Sequence, residues 1–181
     1  MKTIFITLIT VISFNLSAQK YITKTGTTEF KASMDSFEPV EAINKSTTAV
    51  LDKSTGKVAA LVFINAFHFD IALMGEHFNE NYLMSHLFPK AKFNGNFVNF
   101  SDYTITEKEQ TIQLKGSISI KGIKKALEIP VTVKEVNNVI IVDANFKLKL
   151  KDFSIEIPGA VKGKVAKNVN ISLHYELKKK G

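Results

Sequence analysis

Along most of this chain apolar and polar residues alternate one by one, in short runs separated by turn residues. That two-residue period belongs to strands with one face on a core and the other on water. Thr28, Phe30, Ala32 and Met34 alternate with Glu29, Lys31 and Ser33, and a second run covers residues 41–51 before Thr55-Gly56. Ile112, Leu114, Gly116, Ile118 and Ile120 share one face; beyond Gly122, Leu127, Ile129, Val131 and Val133 share another, which predicts a hairpin. Asn137-Asn138 is a tight-turn pair, after which Ile140, Val142, Ala144, Phe146, Leu148 and Leu150 form the apolar side of a further strand. Val169, Ile171, Leu173, Tyr175 and Leu177 repeat the pattern in the last one. Short strands at regular spacing predict a sandwich or barrel, and eight antiparallel strands suffice to close a barrel and remove its edges.

Two stretches depart from the alternation. Residues 58–69, VAALVFINAFHF, are apolar on both faces, so a strand there is covered outside by another element or has core on one side and ligand on the other. In residues 73–95, Met74, Phe78 and Tyr82 recur every four positions with Leu83 beside them. That spacing predicts a short helix within residues 74–86, laid beside the barrel mouth and stopped by Pro89. Ala91, Phe93, Gly95 and Phe97 then restore the period of two and open the next strand. The fold class is therefore all-β, a sandwich or an antiparallel barrel, with one short helix.

The first residues stand apart from this pattern. Lys2, the apolar run from Ile4 to Leu16 and the small pair Ser17-Ala18 have the layout of a secretory signal, with cleavage expected near Ala18. The remainder, residues 19–181, is expected to be one domain, periplasmic or secreted. The chain has no cysteine, so a disulfide scaffold, a thiol nucleophile and a lipid-modified cysteine are all excluded. Its formal net charge is +7, and all 24 basic residues are lysine. Without arginine or tryptophan it lacks the bidentate fork and the strongest stacking platform that nucleic acids favour, so no nucleic-acid partner is expected. Spread lysines read as a solvated face, with attraction to anionic membrane surfaces as the minority reading.

Titratable residues gather near the expected helix: His68, Asp70, Glu76, His77, Glu80 and His86. A helical zinc site wants a second histidine one turn from the first, whereas His77 and His86 are about two and a half turns apart. No metal site is expected, and His77 with Glu80 reads as an exposed pair supporting the helix. Glu76 and Asn79 to Asn81 suit capping of that helix. No nucleophile elbow, phosphate-binding loop or dinucleotide fingerprint is present, so no catalytic residue is assigned and no cofactor is implied.

The same stretch carries a resemblance. ALMGEHFNENYLMSHLFPKAKFNG, residues 72–95, resembles the YceI-like family of lipocalin-like exported proteins that bind polyisoprenoids, in the form where a helix reading LM-x-EHFNENY precedes P-x-A-x-F-x-G. GTTEFKASMDSFEPVEAINKS, LKGSISIKGIKKALEIPVTV and FKLKLKDFSIEIP resemble the family's first two strands, its central hairpin and its late strand and turn. One departure is plain: many members carry Arg-Asp and then His-Leu where this chain has Met74-Gly75-Glu76-His77-Phe78. The resemblance implies an all-β, eight-stranded antiparallel lipocalin-like barrel with a short helix near residues 74–86, and an apolar tunnel in it holding an isoprenoid lipid or quinone without catalysis. By alternation its wall would comprise Phe30, Phe63, Phe93, Phe97, Phe146, Leu148, Leu173 and Tyr175, with Met74, Phe78 and Tyr82 closing the mouth. Transient membrane contact and a homodimer are both compatible with this reading. The alternative is an envelope stress-response or structural interaction domain with a filled barrel; composition alone leaves the choice between hollow and filled open.

Overall fold

The computed structural model describes residues 19–33 and 39–180; the expected leader, residues 1–18, and Met34 lie outside them. Among the described residues eight strands form a closed barrel: β1 (Lys20–Ser33), β2 (Glu41–Asp52), β3 (Lys57–Phe63), β4 (Lys90–Phe97), β5 (Gln110–Ile120), β6 (Ile123–Val136), β7 (Val139–Lys149) and β8 (Val165–Lys179). Each pairs antiparallel with its neighbour in sequence, and β8 returns to pair with β1. Closure satisfies both edges of every strand, which is how an all-β chain avoids an exposed template for aggregation.

The strand that begins the barrel starts eight residues earlier than its clean alternation. Its pairing with β2 shifts register on both sides of Gly26, so the inward face runs Tyr21, Thr23, Gly26, Thr28. This irregularity breaks the period of two that the sequence pattern relies on. A Cβ at Gly26 would lie 2.6 Å from the Tyr175 ring; the glycine lets that ring rest on the backbone. The two tight hairpins use residues in the left-handed region, Lys121-Gly122 (φ 50° and 75°) and Asn137-Asn138 (φ 52° and 62°), the twist-matching type of turn.

One end of the barrel is sealed. The loop between β4 and β5 folds across it and buries Ile105, while Phe100 stacks on Phe97 at 5.6 Å. These join Tyr21, Ile112, Val133, Ile140 and Leu177 in a continuous core. The Tyr21 hydroxyl donates to Glu135 Oε1 at 3.0 Å, and the Lys53 ammonium bonds the other carboxylate oxygen.

The other end is covered differently from expectation. Residues 58–69 do not form one long strand: β3 ends at Phe63, a 3-10 turn spans Ile64–Ala66, and the chain bends back across the barrel. His68 then pairs its backbone with Ile43 on β2, which aims Phe67 and Phe69 at the lumen. The helix is α1 (Ala72–His77), continued by a π turn at Phe78–Tyr82. It ends there, before Met84 at φ 49°, so Pro89 follows the helix and does not stop it. The wider π turn rotates the residues after His77 relative to those before it. Among the described residues His77 and Glu80 accordingly form no ion pair, against expectation. Asn79 ties the two turns together, its Nδ2 donating to the Gly75 carbonyl at 2.9 Å.

Candidate functional site

Between the sealed end and the covered end the barrel is hollow. Its lumen holds a cavity of about 550 Å³, lined almost entirely by apolar side chains. The volume has a local origin in the sequence. Ala49, Ala60 and Ala144 take inward positions on β2, β3 and β7, where larger residues would meet across the axis. Gly95 on β4 and Gly116 on β5 lie opposite each other. A Cβ on Gly116 would fall 2.3 Å from the Asn94 carbonyl oxygen and 2.8 Å from Phe93 Cζ. The Phe93 ring therefore lies along the wall over this glycine pair and leaves the lumen clear.

Ten of the eleven residues singled out from the pattern face this space. Phe93, Phe146 and Leu173 form its middle, and Phe97 and Tyr175 its floor, where both join the sealed-end core. Leu148 belongs to an upper layer with Phe153 and Ile155, against which Phe78 and Tyr82 pack. Phe30, Met74, Phe78 and Tyr82 stand at the mouth. Phe63 is the exception: it is 40% exposed on the outer face of β3, with the Lys90 ammonium 5.2 Å from its ring centroid. The double apolar run hid its direction, since Val58, Ala60 and Val62 take the inward positions of β3.

Phe67 and Phe69 were not singled out by alternation, yet they complete the mouth. Phe30 stacks on Phe78 at 5.3 Å, Phe67 meets both rings at 5.3 and 5.6 Å, and Phe69 meets them at 5.7 and 5.1 Å. Phe30 and Phe78 stack at the centre and Phe67 and Phe69 each meet both, so the four rings make an aromatic stopper over the lumen, each pair adding about 0.5–1.5 kcal/mol beyond its buried area. The available signal was the F-x-F spacing after Ile64, but the bend that redirects it is a tertiary contact with Ile43.

Polar groups at the cavity are few. On the floor the Thr28 hydroxyl bonds Thr47 Oγ1 at 2.8 Å and the Tyr175 hydroxyl at 2.9 Å. Burial pushes the Tyr175 phenol up to about 12, partly offset by its threonine hydrogen bonds. Burial also raises the Tyr82 phenol. His77 and Lys164 sit at the rim. Among the described residues no group of three or more His, Asp or Glu side chains is placed to hold a metal. Such a site can sequester an apolar molecule; it offers no nucleophile paired with a base.

A family model for the YceI-like domain matches residues 12–177. The chain belongs to the YceI-like family. In this YceI-like protein Met74 to Phe78 run from α1 into the π turn, and Met74, His77 and Phe78 line the mouth. Its barrel is similar to a polyisoprenoid-binding domain from Saccharophagus degradans implicated in plant cell wall breakdown, with TM-score 0.77 and 9% identity over 90% of this chain and 99% of that one. It is also similar to BcnA of Burkholderia cenocepacia (TM-score 0.67, 17% identity, 84% and 96% of the two chains). A Campylobacter jejuni YCEI protein gives TM-score 0.63 and 15% identity over 82% and 90%. These likenesses establish the eight-stranded lipocalin-like barrel as the fold. No curated protein matches the chain.

Proposed function

We propose that this YceI-like protein is an exported carrier that holds a long isoprenoid-type chain, a quinone or polyprenyl tail, in its lumen and performs no chemistry. The observation that carries the reading is the apolar cavity of about 550 Å³ under an aromatic stopper. That volume lies within the roughly 300–1,000 Å³ common for ligand sites. Each methylene moved from water into such a lumen gains about 0.8 kcal/mol, so ten buried carbons supply about 8 kcal/mol without any polar anchor. Flexible, nearly insoluble chains are the ligands for which walls of this kind suffice. The similar Saccharophagus degradans domain is described as polyisoprenoid-binding, which supports the ligand class. The basic, apolar and small-residue layout of residues 1–18 supports export with cleavage near Ala18. The filled-barrel interaction domain has no support from a lumen of this size.

The test is mass spectrometry of organic extracts from natively purified protein. A co-purifying polyprenyl or quinone species, present at a fixed ratio to protein, is the expected result. Repeated extracts free of any long-chain lipid, from protein that also fails to take up a fluorescent polyprenyl probe, would overturn the carrier.

A further inference from the structure

The mouth end of the barrel presents two features that holding a ligand does not require. Leu73 and Leu87, on the connection between β3 and β4, are 57% and 58% exposed. The same end carries a run of lysines near Leu87. Lys121, Lys124 and Lys125 are at or beside the tip of the β5–β6 hairpin, and Lys151, Lys162 and Lys164 lie on the connection from β7 to β8. The two sets are joined physically. Lys121 Nζ donates to the Ser154 carbonyl at 3.1 Å, which links the hairpin to the β7–β8 connection. A Cβ on Gly122 would lie 3.0 Å from the Phe88 ring, which places the turn bearing Leu87 against the same hairpin.

The charge of this run is unbalanced. Among the described residues none of those six lysines is in an ion pair, whereas at the sealed end Lys53 is paired with Glu135 and Lys134 with Glu109. Asp152 and Glu156 are the carboxylates of the β7–β8 connection, and Asp70, Glu76 and Glu80 lie on the β3–β4 connection. The hairpin and the β7–β8 connection therefore carry six lysines against two carboxylates, with exposed Leu87 on the turn that rests on the same hairpin.

We propose that this rim docks on an anionic lipid bilayer, with the mouth toward the membrane and these lysines on the headgroups. Charge complementarity selects the surface, and the leucines enter the boundary between headgroups and acyl chains. Continuity with the lumen favours a bilayer over a protein partner: a long apolar chain leaving the cavity passes from one apolar phase to another without crossing water. Docking goes beyond occupancy of the lumen and is measured independently of it.

The experiment is co-sedimentation of lipid-free residues 19–181, which contain every strand of the closed barrel, with phosphatidylcholine vesicles with and without phosphatidylglycerol. Binding is expected only to the anionic vesicles and to weaken with added salt. A lysine near a charged surface is worth about fivefold in affinity. Lys124→Gln, Lys125→Gln and Lys164→Gln together should therefore weaken binding on the order of a hundredfold. Lys178→Gln, Lys179→Gln and Lys180→Gln, which remove the same charge at the far end, should change it by less than about fivefold. Leu87→Ser should weaken it about tenfold; its melting temperature and those of the triple variants report folding, and it carries the test alone if the rim triple fails to fold. Equal loss from both triples, no binding to anionic vesicles, or equal binding to neutral ones overturns docking. Each of those results leaves probe uptake by the lumen to be read separately.

Discussion

Replacing Ala60 by phenylalanine tests the hollow barrel through the sign of the stability change. Ala60 is half-buried on β3, opposite Phe93 on β4 and Ala49 on β2, and all three face the lumen. In a filled interior an added phenyl ring forces neighbours off their rotamers and costs about 1–3 kcal/mol. Here the ring enters a space of about 550 Å³. Full burial of an aromatic side chain is worth roughly 2–4 kcal/mol at the usual area coefficient; a lumen that surrounds it only partly should return about half of that. Thermal denaturation followed by circular dichroism should then show a melting temperature unchanged or raised by roughly 2–8 °C. The ring also takes the place of a ligand segment. Displacing about four methylenes removes about 3 kcal/mol, a loss of more than a hundredfold in affinity for a fluorescent polyprenyl probe. A variant that loses 1–3 kcal/mol of stability and keeps the probe affinity of the parent refutes both the void and its use.

Two further predictions probe the floor and the wall. Tyr175 has a phenol raised from 10.0 to about 12, so its contribution is complete below pH 10 and is lost as pH rises toward 12, a fall of about 2–3 kcal/mol. Tyr175→Phe should cost about 1 kcal/mol at neutral pH, through the lost Thr28 bond, and flatten the alkaline limb of urea midpoints against pH; equal alkaline slopes in the two proteins contradict the assignment. Gly116→Ala puts a methyl 2.3 Å from the Asn94 carbonyl oxygen, which should part β4 from β5, swing Phe93 into the lumen, cost about 1–3 kcal/mol and weaken probe binding. An unchanged denaturation midpoint would show that the glycine pair is not required.

Much of the architecture is present in the residue pattern. Alternation along β4 to β8 gives each strand and the face it buries, because successive side chains must point to opposite sides of a sheet. That is why Phe93, Phe146, Leu173 and Tyr175 can be placed inward from the sequence. The same rule fails where its premise fails. Around Gly26 the register shifts hide the first half of β1, and in residues 58–69 apolar residues on both faces conceal both the outward turn of Phe63 and the bend that sends Phe67 and Phe69 over the mouth.

The sequence by itself determined an all-β chain of antiparallel strands and which side chains of β4 to β8 point inward, and its resemblance to the YceI-like family implied the barrel. Only the tertiary structure decided that the middle is open, because alternation gives direction but not the distance to the opposite wall. That distance depends on which inward residues are small and which rings lie flat: the alanines of β2, β3 and β7, and Phe93 resting over Gly95 and Gly116. These matches form between strands far apart in the chain, and no local pattern encodes them.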